Sequence, residues 1–403
     1  MNRNTVQTIF IISLVYSAAY ALTLSKGIFY NELLQGFYVS NFQFGQLFSV
    51  LGLCSMGAYL CSAWFATHFS PRTIVLGSLV INTAVPAILS TIPPYGIMLL
   101  CFGVMGFTNG IFYPTSVSVL RLSVPLTKQG QAFGLNYIFI SLTGMLITII
   151  GYIAILFGRT SENKIQILLI LFAVSNAVSL LLAFLKIHPD PVENASTPHN
   201  LHATLLQLIR NPKVWAVIFI VFVNYIDYST LNYTQPYLSN EFGLPPLVEN
   251  LITLVRMYFI VGLAAPLAGT ITDRYRSSVI LIRAVFLLYS VATLATALHA
   301  QISTALVVLL ILIMCLTANM AKSMSLITIS EIGLDQYAIT IALCMISFLS
   351  FSPDAFYYSI CGWILDQFPS SGYQYIFSFT AILTLIGFLV CSWLHRQGAK
   401  RSF

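Results

Sequence analysis

Charge is scarce in this chain. Charged residues make up 7% of its 403 positions, against roughly 25% in an average soluble domain. A surface facing water on all sides cannot be built from so few, which excludes an ordinary soluble globular protein. Cysteine pairing is also missing. Cys54, Cys61, Cys101, Cys315, Cys344, Cys361 and Cys391 stand singly in apolar segments with no C-x-x-C spacing. They read as small buried apolar side chains rather than as disulfide or metal ligands. The chain has no G-x-x-x-x-G-K-[ST] loop, which argues against ATP drive, and no H-E-x-x-H or activated Ser/His set in its apolar runs. No cofactor, metal or enzymatic activity is therefore expected. No histidine falls at the middle of an apolar run, so a histidine relay is excluded as well.

What is present is apolar length. Hydrophobic residues account for 58% of the chain, and runs of about 20 recur from end to end, the length that crosses a bilayer. The lipid bilayer is the first partner implied. The net charge of +6 reads as membrane topology and not as a nucleic-acid footprint. Arg3, an apolar run and Ala19-Tyr20-Ala21 imitate a cleaved secretory signal. The internal repeat described next requires this segment as a membrane helix.

Polar and Pro/Gly breaks divide the chain into spans at 7–30, 45–67, 72–92, 95–121, 129–157, 164–187, 213–238, 247–271, 278–299, 302–328, 337–363 and 372–395. The fold class expected is all-α, with twelve transmembrane helices. The long polar stretch from Lys186 to Asn211 separates six from six. The domains are then 1–187, a linker at 188–212, and 213–403. A shift of 206 residues carries the first span onto the seventh and serves the other pairs within a few residues. That common shift marks two pseudo-symmetric six-helix bundles, a plan whose binding site lies between repeats. With the N-terminus inside, inner loops and ends hold Arg3, Arg72, Arg121, Lys128, Lys186, Arg210, Lys213, Arg274, Arg276, Arg396, Lys400 and Arg401. Outer loops hold only Arg159 and Lys164. The bias puts both termini and the linker in the cytoplasm. The Asn194-Ala-Ser196 glycosylation triplet falls on that cytoplasmic linker and reads as chance.

The loop after the eighth span reads Gly269-Thr-Ile-Thr-Asp273-Arg274-Tyr-Arg276. Its glycine suits close helix approach, and its acid and bases can bond helix ends at the cytoplasmic mouth. The shift of 206 places it on Ala63, Thr67, His68 and Ser70, where only a later basic residue, Arg72, survives. The pattern resembles the G-x-x-x-D-R-x-G-R-R loop of the major facilitator superfamily, and with the twelve spans and two halves the resemblance covers the whole chain. It implies alternating access by two rocking bundles about a central site, a gating role for Asp273 and Arg274, and a single chain as the working unit. The fourth span departs from a pattern of proton-coupled members, R-x-x-x-G, because Phe102 stands at the arginine position before Gly106. A softer resemblance, to bacterial members that carry organic acids, rests on Lys128-Gln-Gly130-Gln-Ala-Phe-Gly134, on Ser352-Pro353-Asp354-Ala-Phe356 and on Gly362-Trp-Ile-Leu-Asp366. A short chain without large soluble domains is expected in a bacterial inner membrane.

Five ionisable residues remain inside the spans: Lys26, Asp227, Arg256, Lys322 and Asp354. Such groups are costly at membrane depth and point to function by default. At ~1.5 Å per residue, Asp227 lies ~21 Å from the cytoplasmic helix end, Arg256 and Asp354 ~25 Å, Lys26 ~28 Å and Lys322 ~10–12 Å. Two carboxylates then share a level with one arginine. In the functional reading, Arg256 holds a substrate anion through its planar fork. One carboxyl, Asp227 before Asp354, takes up a proton when its pairing weakens, while Asp354, preceded by Pro353, is placed to orient a kink or to pair with Arg256. The competing reading is a static ion pair between helices. Lys26 is expected either in an outer gate or snorkelling to the surface, and Lys322 in a structural or inner-gate role.

Polar and aromatic residues recur on the spans that the resemblance places around the cavity. They are Tyr16 and Tyr20, Asn109 and Tyr113, Asn136 with Tyr137, Asn224, Tyr225, Tyr228 and Asn232, and Asn319, which the repeat shift pairs with Tyr113. Their amides and hydroxyls suit a polar solute, though each alone could be an interhelical hydrogen bond. Gly52, Gly57, Gly103, Gly106, Gly110, Gly144, Gly151, Gly262 and Gly269 read as points of close helix crossing. The expected function is secondary active transport of a small polar solute, anionic or zwitterionic, coupled to protons. An organic-anion exchanger without a proton site and a non-transporting membrane receptor are the alternatives. Counterflow that persists after Asp227→Asn favours exchange.

Overall fold

The computed structural model describes residues 3–122, 129–186, 201–275, 277–298, 303–334 and 336–399. They are helical almost throughout, with no strand among them. In chain order the helices are α1 (Arg3–Ser25), α2 (Tyr30–Gly36), α3 (Asn41–His68), α4 (Pro71–Leu89), α5 (Tyr95–Leu122), α6 (Gln129–Leu156), α7 (Ser161–Lys186), α8 (Leu201–Arg210), α9 (Pro212–Thr230), α10 (Thr234–Phe242), α11 (Pro246–Leu254), α12 (Val261–Tyr275), α13 (Ser278–Ala297), α14 (Thr304–Met324), α15 (Gln336–Ser350), α16 (Tyr357–Gln367) and α17 (Gly372–Ala399). Local chemistry sets several starts. Ser40 accepts from the Gln43 N–H while the Gln43 side chain caps Ser40, a reciprocal box that opens α3. Ser70 before Pro71 and Asn211 before Pro212 open α4 and α9 in the same spirit, each accepting from a backbone N–H two or three residues on.

Two compact units form. The first comprises Met1–Ser196 with Asp354–Gly362, and the second Thr197–Pro353 with Trp363–Phe403. In the first, Ile9, Ile12 and Val15 of α1 pack with Leu79 of α4, Phe112 of α5 and Ala183 of α7. In the second, Val217, Ile220 and Val221 of α9 pack with Ile282 and Phe286 of α13, Ala321 of α14 and Cys391 of α17.

Several expected spans are interrupted. The 337–363 span breaks between α15 and α16 at a 3₁₀ turn, Ser352–Ala355. Pro353 has no N–H for the Leu349 carbonyl, and the Ser352 hydroxyl donates to that carbonyl instead at 2.7 Å. The 213–238 span passes through a 3₁₀ turn at Leu231–Tyr233, ahead of Pro236. The 247–271 span contains a π-helical stretch, Val255–Ile260, between α11 and α12. The linker expected at 188–212 is not polar coil throughout. Within it Leu201–Arg210 form α8, whose Leu208 is buried in the core of the second unit.

Ten described stretches are long and apolar enough to cross a bilayer by length and composition. The helices α15 and α16, at 15 and 11 residues, are each too short to do so alone.

Glycine spacing is used unevenly. At Gly106 and Gly110 of α5 an added Cβ would run into the Leu51 backbone and into Ser55 and Ala58 of α3. The Ser55 hydroxyl donates to the Gly106 carbonyl at 2.7 Å across the same crossing. Gly45 and Gly52 of α3 likewise meet the backbone of 354–359. The expectation of close crossings at Gly57, Gly262 and Gly269 is corrected, since a Cβ at each would enter open space.

Candidate functional site

In the first unit, Tyr16 and Tyr20 share a face of α1 and stack with ring centroids 4.6 Å apart and planes at 26°. The Tyr20 hydroxyl donates to the Asn109 carbonyl at 3.2 Å. The Asn109 side-chain oxygen accepts from Asn82 of α4 at 3.0 Å, and its amide reaches the Thr23 hydroxyl at 3.4 Å. Tyr113, 41% exposed, sets its ring 6.4 Å from that of Tyr16. Four of the expected lining residues therefore converge where α1, α4 and α5 meet. Asn136 does something narrower. Its side-chain oxygen accepts from Ser13 at 2.8 Å and ties α6 to α1.

Lys26, just past the end of α1, is buried and does not snorkel. Its Nζ lies 4.0 Å from Asp354 Oδ1, 3.8 Å from the centre of the Tyr358 ring and 5.2 Å from that of Phe48. An ammonium held by a carboxylate and two ring faces is stabilised by both charge and ring quadrupole. The broken helix around Pro353 places Asp354 and Tyr358 on this lysine.

In the second unit, Asp227 of α9 is 0% exposed. Its Oδ1 accepts from the Thr384 hydroxyl of α17 at 2.5 Å, and its Oδ2 has no partner. The Tyr289 hydroxyl of α13 donates to the Asp227 backbone carbonyl at 2.8 Å. The Thr230 and Thr380 hydroxyls meet at 3.1 Å nearby. Asp227 thus lies among hydroxyls where α9, α13 and α17 pack, with no ion pair to a described cation. Arg256, 2% exposed, sits in the π-helical stretch and donates from Nη1 to the Leu231 carbonyl at 2.8 Å. Asp227 and Arg256, expected at one level of the membrane, do not pair with each other: Asp227 meets Thr384 and Arg256 meets the Leu231 carbonyl.

Lys322, in the last turn of α14, is exposed and sets its Nζ 3.4 Å from the centre of the Tyr228 ring. Asn224, one turn before Tyr228, donates to the Ala318 carbonyl at 3.0 Å, one turn before Lys322. Asn232 and Asn319 donate within their own segments, to Ser229 and Cys315 carbonyls. Arg274 is exposed at the end of α12. The side chain of Asp273 and all of Arg276 lie outside the described residues. Glu331 accepts from the Ser277 hydroxyl and from both the N–H and hydroxyl of Ser278, and so caps α13 from beyond the end of α14. Thr384, Tyr289, Tyr358 and Asn82 were not singled out from the sequence. The i, i+4 pair Thr380–Thr384 in an otherwise apolar helix is the signal that could have found one of them.

Among known proteins, the family model described as Major Facilitator Superfamily matches residues 8–333 and 217–402. The chain is 23% identical to the inner membrane protein YihN of Escherichia coli K12 over 97% of this chain and 95% of that one. It is also 23% identical to the inner membrane protein YqcE of the same organism, over 90% and 88%. Among solved structures, a bacterial homolog of the human lysosomal transporter Spinster, inward-facing and unoccupied, superposes with a TM-score of 0.79 at 11% identity, covering 99% of this chain and 98% of that one. The nucleoside transporter NupG superposes with a TM-score of 0.75 at 14% identity, over 98% and 99%. With its all-helical architecture and its many bilayer-length apolar helices, this chain is a multi-pass membrane protein and belongs to the major facilitator superfamily.

Proposed function

We propose that the chain is a secondary active transporter that moves a small polar metabolite, anionic or zwitterionic, by alternating access with proton coupling. Twelve spans in two six-helix bundles, residues 1–187 and 213–403 joined by the 188–212 linker, form its framework. Both termini lie on the cytoplasmic side. Lys26, Asp354, Asp273 and Arg274 serve as gating groups, and the Tyr and Asn residues of α1, α5, α9 and α14 supply polar contacts to the solute. Arg256 takes the solute anion in a state that frees its guanidinium from Leu231.

The observation that carries proton coupling is Asp227, a fully buried carboxyl with one oxygen on a threonine and, among the described residues, no partner for the other and no cation beside it. An uncompensated carboxylate costs several kcal/mol to bury. A group in that position gains a role if it binds a proton in one conformation and releases it in another. That the similar solved proteins are described as a transporter homolog and a nucleoside transporter supports transport as the activity.

The test is uptake by the full chain in proteoliposomes across an imposed pH gradient, with a metabolite panel. The wild type should accumulate its substrate in response to the gradient, and Asp227→Asn should bind that substrate yet lose the response. Accumulation that is equally gradient-driven in Asp227→Asn would remove Asp227 from the coupling step. Wild-type uptake that ignores the gradient but rises with internal substrate would establish the exchanger reading instead.

A further inference from the structure

The cations inside the second unit differ in what holds them. Arg256 is buried and bonded to backbone. Lys322 is exposed, and its ammonium rests against a ring face alone. Among the described residues no carboxylate reaches it. Glu331, the acid nearest beyond it in sequence, is spent on the serines that open α13.

The setting is ordered. Asn224 and Tyr228 on α9 face Ala318 and Lys322 on α14 in matching i, i+4 register. The Tyr225 ring lies 6.4 Å from that of Tyr228 and 4.9 Å from that of Phe351 on the turn after α15. A cation held over a ring keeps its remaining N–H donors for another acceptor, since an ammonium has three and accepts none.

From this placement we infer that Lys322 and the Tyr225–Tyr228–Phe351 ledge form a binding site for an organic anion, a carboxylate or phosphate carried on a ring or other apolar body. The anionic group bonds Nζ on the side away from Tyr228, and the body lies along the aromatic ledge. The inference rests on the transport reading only in naming this anion as cargo; the site itself is testable without transport.

The probe is benzoate, an anion on a ring, compared with neutral benzamide. Each is tested for protecting Lys322 from formaldehyde, which forms an imine with an accessible unprotonated lysine that cyanoborohydride reduces to a methylamine for mapping by mass spectrometry. The full chain is labelled in phosphatidylcholine nanodiscs, with Lys186 as the exposed internal reference. An anion on Nζ keeps the amine protonated and covered, so saturating benzoate should lower labelling at Lys322 relative to Lys186 by about tenfold, the effect of ~1.4 kcal/mol. Benzamide should give no such protection, and Tyr228→Leu should lose it.

Benzoate protection no greater at Lys322 than at Lys186 overturns the inference. So does protection of Lys322 by phosphatidylglycerol in the disc with none by benzoate, which would assign the lysine to lipid headgroups. Uptake is measured separately. Anion uptake that Lys322→Gln leaves unchanged sinks this site and leaves the transport reading standing. Selective protection in a protein that moves none of the panel does the reverse.

Discussion

The contact between Thr384 and Asp227 is the most exacting at the scale of single residues. Among the described residues, one hydroxyl alone hydrogen-bonds a carboxyl that is sealed from solvent. Thr384→Val keeps the shape and deletes the donor, which should cost about 1–3 kcal/mol by leaving a buried acceptor unsatisfied. Urea or thermal unfolding in detergent reads this. The same substitution on an Asp227→Asn background should cost less, because an amide sheds the charge. Equal costs would mean that the two side chains are not coupled. The sequence made Asp227, Arg256, Lys26, Lys322 and Asp354 conspicuous, since charges are rare in apolar runs. Their partners were another matter. Thr384 is 157 residues from Asp227, and no spacing rule links two helices so far apart. Depth alone suggested a triad with Arg256 at one level. Depth does not say which way a side chain points around its helix, and that angle sent Asp227 to α17 and Arg256 to Leu231.

Helix crossings divide the glycines into those that are needed and those that are not. Gly110 of α5 faces Ser55 and Ala58 of α3, whereas Gly262 inside α12 faces open space. Gly110→Val should therefore destabilise the chain by about 1–3 kcal/mol through overpacking. Gly262→Ala should be neutral or should stabilise it by roughly 0.5–1 kcal/mol through helix propensity. Unfolding midpoints of the two variants, compared side by side, check the contrast, and a loss in Gly262→Ala as large as that in Gly110→Val would refute it. Helices were legible because apolar length is so plain a signal. Their interruptions were legible only in part. Pro353 announced a kink, but the wide turn around Arg256 carries no proline or glycine. It depends on how that helix meets its neighbours, which composition does not encode.

For the whole molecule, the bias of Lys and Arg gives a topology that can be examined directly. Single cysteines at Arg159→Cys and Arg396→Cys, placed in a chain whose native cysteines are replaced, should behave oppositely toward a membrane-impermeant maleimide. In spheroplasts the first should label at once and the second only after permeabilisation. Immediate labelling of the second would put the C-terminus outside. The repeat expected at a shift of 206 residues rests on spacing alone, which duplication preserves after identity has faded. The grouping of residues 354–362 with the first unit was not readable, since it follows from backbone approach at Gly45 and Gly52 rather than from any pattern in 354–362 itself. The π-helical stretch at Val255–Ile260 bears on the molecule in one more way. In an unbroken α-helix, eight residues at ~100° each would leave Arg256 about 80° around the axis from Ala264. The wider turn advances less per residue, and both now lie on the buried side. The stretch is a phase correction between a charged position and a seam of small residues. Deleting Phe259 would leave the two seven steps apart, ~700° in a plain α-helix and so only about 20° out of phase, which keeps the guanidinium on the buried face while the π-helical turn reverts to α.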